Sequence, residues 1–248
     1  MSLQIFQLRL KKLLILIRYP RLIKALIQYR IFAAVEHESV LKELYSTIVD
    51  IGANRGQFTL ACRALLPSAK VISFEPLPNA GVIFHQFFQD DPNVKLHRAA
   101  VGPKLSQELM HISARDDSSS LLPMGSEQVN TFPGTEEVGT IHVDVAPLEH
   151  FLKSSDIASP ALLKIDVQGY EFEVLMGCES LLPVFDHVYC ECSFVELYTG
   201  QKLVDSIIDW LYQRGFRLAG VYNMSHDKLG KAIQADFLFE RMPRALSA

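Results

Sequence analysis

The stretch TIVDIGANRGQFTL, residues 47–60, decides the fold. It begins with a short apolar run, continues through five residues that contain two glycines, and ends in a helical pattern. A strand that turns through glycines into a helix is typical of the first unit of a doubly wound α/β sheet. In such sheets, ligands bind outside the carboxyl ends of the strands. Asp50, Gly52, Asn54 and Gly56 are therefore the first candidates for ligand contacts.

The rest of the chain repeats this alternation of apolar runs and helical patterns. Apolar runs lie at residues 70–75, 94–101, 161–167 and 187–192, and helical patterns lie near residues 56–66, 77–89, 170–182 and 201–214. Two last runs, 216–222 and 233–240, flank a loop that contains Gly230 and predict a closing antiparallel pair. We therefore predict an α/β fold with a doubly wound, Rossmann-like, mostly parallel sheet of seven strands that ends in a C-terminal antiparallel hairpin.

The composition is that of a globular protein with one sizeable domain. The chain has 248 residues, of which 49% are hydrophobic and 21% charged, and its formal net charge is -4. Typical domains have roughly 100 to 200 residues, so one domain with a small appendage is expected. No global feature indicates nucleic-acid binding, and the sequence does not predict the oligomeric state. We expect the four cysteines to be reduced thiols in a cytoplasmic protein.

Residues 1–45 are predicted to form a basic, amphipathic, helical N-terminal extension, followed by the main domain over residues 46–241. Seven bases and no acid precede Glu36, and apolar residues recur among them at helical spacing although Pro20 interrupts the pattern. This segment is expected to cap an edge of the domain. The alternative is that residues 1–35 contact a partner protein or the anionic inner face of the membrane. No apolar run approaches the roughly 18 residues of a membrane span, and no secretory signal is predicted.

A long polar segment interrupts the alternation after the third predicted strand. Residues 113–138, SARDDSSSLLPMGSEQVNTFPGTEEV, are rich in Ser, Gly and Pro. A loop of this length in a compact domain is usually a lid, a substrate loop or disordered. The embedded SSSLLP favours an ordered functional loop.

The spacing of the glycines in the first turn selects among ligands. Dinucleotide-binding turns have glycines at the first, third and sixth positions, but those positions hold Gly52, Asn54 and Gln57 here. The carboxylate of Asp50 precedes the glycines, where it could bind an ammonium group. Glu75 closes the second predicted strand, where its carboxylate could accept both hydroxyls of a ribose. An amino acid joined to an unphosphorylated ribose describes S-adenosylmethionine; the alternative is a tight turn without a ligand.

A second group of charged residues lies in LLKIDVQGYEFEVLMG, residues 162–177. Lys164 and Asp166 share a face of the predicted strand, and Glu171 opens the next helix. Glu191 lies at the end of the following predicted strand. Charged groups in an apolar strand are costly unless they are paired or functional. The alternatives are therefore a catalytic group and an ion pair that braces the sheet.

Together these segments resemble the FkbM-type family of S-adenosylmethionine-dependent methyltransferases. The resemblance runs in order through VDIGANRGQFTL, SFEPLP, AAVG, DDSSSLLP, LLKIDVQGYEFEVL, CSFVELYTGQ and QADFLFE. It implies the class I methyltransferase fold and transfer of a methyl group to a hydroxyl of a glycan or another small-molecule natural product. It also implies that the cofactor is held at its methionine end by Asp50, Gly52, Asn54 and Gly56, at the ribose by Glu75 followed by Pro76, near the adenine by Ala99 and Ala100, and in the polar loop by Ser119.

The carboxylates at two strand ends are the candidates for a base, because an alcohol is a poor nucleophile until its proton is removed. Asp166 is the first candidate and Glu191 the second, with Lys164 and Glu171 expected to orient or tune them. Alternatively, Asp166 and Glu191 hold a divalent cation that binds an acceptor with adjacent hydroxyls. The rival functions are a nicotinamide-dependent oxidoreductase, which the glycine spacing disfavours, and a non-catalytic cofactor-binding domain used for interaction.

Overall fold

The computed structural model describes residues 20–243, and its centre is a sheet of seven strands. These strands are β1 (Thr47–Ile51), β2 (Lys70–Phe74), β3 (Val94–His97), β7 (Ala161–Ile165), β8 (His187–Ser193), β9 (Phe216–His226) and β10 (Ala232–Arg241). Their order is β3-β2-β1-β7-β8-β10-β9. The first five pair in parallel, and β10 pairs antiparallel with both β8 and β9. The predicted mostly parallel sheet with a C-terminal antiparallel hairpin is therefore confirmed.

Helices cover both faces of this sheet. The α-helices of the described residues are α1 (Pro20–Tyr29), α2 (Gln57–Leu65), α3 (Pro78–Phe88), α4 (Ser126–Thr131), α5 (Glu171–Gly177) and α6 (Val204–Gln213). Alternate residues of a strand point to opposite faces. Ile48 and Leu162 therefore pack in the cluster that contains α2, whereas Val49 and Leu163 pack in the cluster that contains α5 and α6. Burial on both faces explains why these strands are apolar throughout.

A second, three-stranded sheet lies beside the first and was not predicted from the sequence. It consists of β4 (Ala100–Val101), β5 (Ser106–Ser113) and β6 (Glu137–Ala146), with β6 parallel to β4 and antiparallel to β5. The single strand predicted over residues 94–101 is wrong, because the chain leaves the main sheet after His97 and enters the second sheet at Ala100. The first half of β6 is largely exposed, so it lacks the apolar run that reveals a buried strand.

The polar loop predicted over residues 113–138 is ordered. It contains a 3₁₀ turn at Asp116–Ser118 and the short helix α4. Ser120 forms a β-bridge to strand β5, and Met124 forms one to Tyr198. The loop therefore lies against the main domain, while its role in ligand binding stays a prediction.

The described part of the N-terminal extension packs into the same domain. Leu22 of α1 and Ile31, just after it, are buried in one cluster with Leu60 of α2 and Phe84 of α3. The chain then forms a 3₁₀ turn at Val35–Ser39 before β1. Hence at least this part of the extension contributes to the core.

The predicted contact with a membrane or partner falls largely on residues 1–19, which lie outside the described residues. Between residues 20 and 243, no helix is long and apolar enough to cross a membrane. The membrane or partner contact therefore stays a prediction.

Candidate active site

A cavity of about 350 Å³ lies at the carboxyl ends of β1, β2 and β7. This volume falls in the range of small-molecule sites, about 300–1,000 Å³. The predicted site residues that line it are Gly52, Asn54, Glu75, Pro76, Ala99, Ala100, Ser119, Lys164 and Asp166. The remaining predicted residues, Asp50, Gly56, Glu171 and Glu191, are not part of its wall, and each of them has another environment.

Glu75 has the geometry that a ribose-binding carboxylate requires. It directly follows β2, lines the cavity and is only 4% exposed. Its Oε2 accepts a hydrogen bond from the backbone N–H of Asn54 (2.8 Å), and its Oε1 accepts one from that of Leu77 (2.7 Å). Burial raises the pKa of Glu75 to about 7, although these two amides oppose the shift. Each oxygen retains a second lone pair, so the fixed carboxylate can also accept ligand hydroxyls.

The two glycines of the first turn are needed for contacts within the protein. Gly52 has φ 82°, and a Cβ there would lie 1.8 Å from the carbonyl oxygen of Asp166. Gly56 has φ 93° and begins α2, where a Cβ would lie 2.5 Å from the Phe88 ring of α3. Gly56 thus allows two helices to pack and does not line the cavity, so its predicted contact with the cofactor stays a prediction. Gly52 both lines the cavity and permits close contact of β1 with the end of β7.

Asp50 does not reach the cavity. Its side chain is fully buried, its Oδ1 lies 3.2 Å from the ammonium of Lys164, and its Oδ2 accepts a hydrogen bond from the Thr59 hydroxyl at 2.9 Å. The cation that pairs with this carboxylate is thus a lysine of the protein. This geometry corrects the prediction that Asp50 binds the ammonium of the cofactor directly.

Lys164 connects Asp50 to the cavity. Its Nζ donates to the carbonyl oxygen of Gly52 (3.3 Å) and lies 3.5 Å from Oδ2 of Asp166. Burial by itself would lower the pKa of Lys164, but the charges of Asp50 and Asp166 raise it above its ordinary value. The ammonium is therefore charged and holds Asp166, as an orienting residue should.

Gln168 joins the two predicted catalytic carboxylates. Its Nε2 donates to Oδ1 of Asp166 (3.0 Å) and to Oε2 of Glu191 (3.0 Å), and Oε1 of Glu191 accepts from Gln234 (2.9 Å). Both oxygens of Glu191 are thus hydrogen-bonded to side-chain amides, and Glu191 does not line the cavity, so its role as second candidate base stays a prediction. Asp166 lines the cavity, and about a third of its side chain is exposed.

The contact of Gln168 with both carboxylates also concerns the predicted alternative, in which Asp166 and Glu191 hold a divalent cation. An amide nitrogen, which does not bind a cation, lies between Asp166 and Glu191. Within residues 20–243, no group of three or more His, Cys, Asp or Glu side chains is arranged to hold a metal ion.

Glu171 stabilises the turn between β7 and α5. Its Oε1 accepts backbone hydrogen bonds from Val167 (3.1 Å) and Gly169 (3.0 Å). Burial raises the pKa of Glu171 to about 7. The turn holds Gln168 in the left-handed region at φ 58°, so Glu171 acts on Asp166 only through Gln168.

One part of the cavity wall was missed from the sequence because it precedes the first strand of the sheet. The segment after α1 contributes Phe32, Ala33, Ala34, Glu36 and His37. No glycine turn or strand end marks it, and its basic helical neighbourhood favoured an extension. Two signals were nevertheless present, an aromatic residue and a histidine in a segment with no other histidine.

Two side chains tie the polar loop to the cavity. The hydroxyl of Tyr198 lies 2.9 Å from the carbonyl oxygen of Ser118 and 3.0 Å from Oε1 of Gln168. Arg55, in the glycine turn, donates to Oδ2 of Asp116 through Nε (2.9 Å) and Nη2 (2.6 Å). The loop is therefore anchored at both the first turn and the β7 turn.

The cavity fits S-adenosylmethionine in its chemistry. A buried carboxylate, Glu75, is available to a diol, and apolar side chains such as Ile51, Leu77 and Leu121 border it as a nucleoside requires. Gly52 and Asn54 present backbone just after the carboxyl end of β1, beside Glu75. When bound, this cofactor supplies a methyl group activated on a sulfonium sulfur.

Comparison with known proteins identifies the family. Residues 50–218 match the family described as the methyltransferase FkbM domain. This chain belongs to the FkbM methyltransferase family. It is therefore an S-adenosylmethionine-dependent methyltransferase, and the resemblance seen in the sequence is confirmed.

The related proteins carry methyltransferase names. The chain is 27% identical over 179 residues to the 2-O-methyltransferase NoeI of Sinorhizobium fredii, covering 70% of this chain and 74% of that protein. It is also 27% identical over 203 residues to the methyltransferase sdnD of Sordaria araneosa, covering 64% and 76%. Among solved structures, a putative rRNA-methylase from Clostridium thermocellum aligns with a TM-score of 0.48 at 9% identity, covering 84% of this chain and 94% of that one.

Proposed function

We propose that this FkbM methyltransferase methylates a hydroxyl group on a saccharide or another natural product. The observation that carries the proposal is that one cavity joins Glu75, at the end of β2, to Asp166, at the end of β7. A ribose contact and a carboxylate able to bind an acceptor hydroxyl thus share one enclosed site. The similarity to a protein named as a 2-O-methyltransferase supports oxygen as the accepting atom.

Asp166 is the proposed contact for the acceptor. Its carboxylate is held on one side by the Lys164 ammonium and on the other by the Gln168 amide, so its orientation is defined before an acceptor arrives. Alignment of the hydroxyl oxygen with the methyl carbon is the main requirement for this displacement. A carboxylate that accepts a hydrogen bond from a hydroxyl of the acceptor fixes that alignment.

Phe32 offers a surface for the acceptor. It lines the cavity, yet 61% of its surface is exposed. An aromatic ring that is open at a cavity edge can pack on the apolar face of a ring-shaped ligand. This position supports a cyclic acceptor such as a sugar.

The proposal is tested by transfer of a labelled methyl group to a panel of glycans and glycosylated metabolites. We expect a methyl ether as the product. Asp166→Asn should reduce the rate by about 100-fold or more while binding of S-adenosylhomocysteine, measured by calorimetry, changes little. Asp90→Asn, at an exposed position after α3, is the matched control and should keep the wild-type rate. Methylation on nitrogen or carbon, or a full rate in Asp166→Asn, contradicts the proposal.

A further inference from the structure

His37 is a histidine on the cavity wall that no sequence motif indicated. It lies in the 3₁₀ turn Val35–Ser39, and only 14% of its side chain is exposed. The turn brings it over the face of the sheet that carries Lys164 on β7 and Tyr189 on β8, which are direct partners in the strand register. An imidazole therefore shares the cavity with Asp166.

One nitrogen of the His37 ring is engaged by the sheet. Nδ1 lies 2.9 Å from the hydroxyl of Tyr189 and 3.5 Å from Oδ2 of Asp236 on β10. The side-chain amide of Asn223, on β9, donates to the same Oδ2 at 2.8 Å and lies 3.3 Å from Nδ1. Strands β8, β9 and β10 thus each contribute a polar side chain on the Nδ1 side of the ring.

This surrounding favours the tautomer with hydrogen on Nδ1. Burial, and then the charge of Asp236, raises the pKa of Tyr189 well above its usual range, so the phenol keeps its hydrogen. The Tyr189 oxygen at 2.9 Å and the Asp236 carboxylate at 3.5 Å can both accept from Nδ1, whereas the Asn223 amide donates to the phenol oxygen and, at the shorter distance of 2.8 Å, to Asp236. Within the described chain, no residue forms a hydrogen bond with Nε2 of His37. The lone pair on Nε2 is therefore available to a ligand in the cavity.

The ring is also held in place by its neighbours. It makes edge contacts with the rings of Phe58 and Tyr189, with centroids 5.4 Å and 5.5 Å away. Asn223 adopts the left-handed region at φ 49° to present its amide, a conformation that asparagine tolerates better than most residues. The charged groups around the ring are Asp236, Glu36 beside it in the chain, and Lys164, whose Nζ lies 5.4 Å from the Phe58 centroid.

The surroundings of Asp166 suit it less well than His37 to accept a proton. One of its oxygens is next to a lysine ammonium and the other accepts an amide hydrogen bond, so both oxygens are already engaged by groups of the protein. The imidazole of His37 has a free nitrogen, and its cation would face Asp236. Imidazoles as a class change charge between about pH 5 and 8, which suits proton transfer near neutral pH.

Building on the proposed function, we propose that His37 accepts the proton of the reacting hydroxyl at Nε2, while Asp166 accepts a hydrogen bond from a neighbouring hydroxyl of the same acceptor and so holds the reacting hydroxyl in line. As the hydroxyl oxygen forms its bond to the methyl carbon, the bond from that carbon to sulfur breaks and its electron pair stays on sulfur. The hydroxyl proton passes to Nε2, and the resulting imidazolium is stabilised by Asp236 until water removes the proton. His37 is therefore the proposed base, a role for which Asp166 was the first candidate from the sequence.

The first test does not require an acceptor. Nitrogen NMR of the full chain bound to S-adenosylhomocysteine reports the tautomer and the titration of each histidine. We expect hydrogen on Nδ1 in the neutral ring of His37, and loss of that preference in Asp236→Asn, because Nδ1 then no longer faces a carboxylate. Hydrogen on Nε2 in the wild type overturns the proposal even if methyl transfer is observed.

The second test uses a glycan that the wild type methylates. His37→Asn can keep a donor near Nδ1 but has no group at Nε2, so we expect transfer to fall by about 100-fold or more. Its Tm and its affinity for S-adenosylhomocysteine should stay close to wild type. His85→Asn, at an exposed position of α3, is the control and should change nothing.

The outcomes separate the two proposals. A rate for His37→Asn within a few-fold of wild type overturns the role of His37 and leaves the proposed O-methylation standing. If the wild type methylates no hydroxyl of the panel, the proposed function fails, and the tautomer measurement still decides whether Nε2 can accept a proton.

Discussion

Replacing Lys164 by Met tests whether Lys164 and Asp50, the buried charges at the base of the cavity, stabilise each other as an ion pair. The Lys164 side chain is 5% exposed and that of Asp50 is 0% exposed. Without the ammonium, the Thr59 hydroxyl is the one side-chain donor that the described residues leave to Asp50, so a charge remains buried without a counter-charge. Removing one partner of a buried ion pair costs about 3–5 kcal/mol. For a chain of this size, 1 kcal/mol changes Tm by about 2–4 °C, so Tm should fall by roughly 6–20 °C.

The assay is urea unfolding followed by circular dichroism, with thermal unfolding as a second measurement. The double variant Asp50→Asn with Lys164→Met removes both charges, and we expect it to recover about half of the lost stability or more, because no buried charge is left unpaired. Lys228→Met, at an exposed position, should change the unfolding free energy by less than about 0.5 kcal/mol. If Lys164→Met loses less than about 1 kcal/mol, or the double variant is no more stable, then Asp50 and Lys164 are not coupled as described.

Three further predictions follow from the wall of the cavity. Because burial raises the pKa of Glu75 to about 7, its ability to accept two hydroxyls is complete above that pH and lost below it. The affinity for S-adenosylhomocysteine should therefore rise from pH 6 to 8 in wild type, whereas Glu75→Gln should bind weakly with no such dependence; calorimetry at several pH values checks this. Phe32→Ala should raise KM for the acceptor several-fold at unchanged cofactor affinity, and an unchanged KM would remove Phe32 from the acceptor site. Gly56→Ala should lower the unfolding free energy by more than about 1 kcal/mol, because its Cβ would meet the Phe88 ring at a positive φ; urea unfolding with wild-type stability contradicts that packing.

The main sheet was predictable because burial on both faces leaves a local signal. Strands β1, β2 and β7 are apolar almost throughout and are separated by helical patterns. The second sheet left no such signal, because β5 and β6 are exposed along much of their length and their pairing joins residues far apart in the chain. The division of the run 94–101 between two sheets likewise depends on tertiary contacts and not on residue type.

The residues of the candidate site likewise divide into those that a local sequence pattern marks and those that it does not. Glu75, Gly52, Lys164 and Asp166 were found because strand ends and glycine spacing mark them in the sequence. His37 was missed because its position over the sheet depends on how the segment after α1 packs.

The role of Asp50 was the main error of assignment. From the sequence, an acid before a glycine turn and a lysine more than a hundred residues later are separate features. The parallel pairing of β1 with β7 places Asp50 beside Lys164 in register, and a carboxylate buried beside an ammonium is neutralised by it. The role of Gly52 also changes once the structure is known. A side chain there would collide with the carbonyl oxygen of Asp166, so the close contact with β7 requires glycine as well as any ligand does.

The sequence by itself determined the class of the fold, the edge of the sheet where the cavity lies, the family and the residues available at the strand ends. These properties follow from patterns of hydrophobicity and spacing within short segments, which local physics converts into strands, turns and helices. Only the tertiary structure decided which charges pair, which of them reach the cavity, and that a histidine from the N-terminal segment joins Asp166 there. The reason is that the pairing of buried polar groups depends on distances of a few ångströms between residues remote in the chain, and those distances are set by strand register and helix packing.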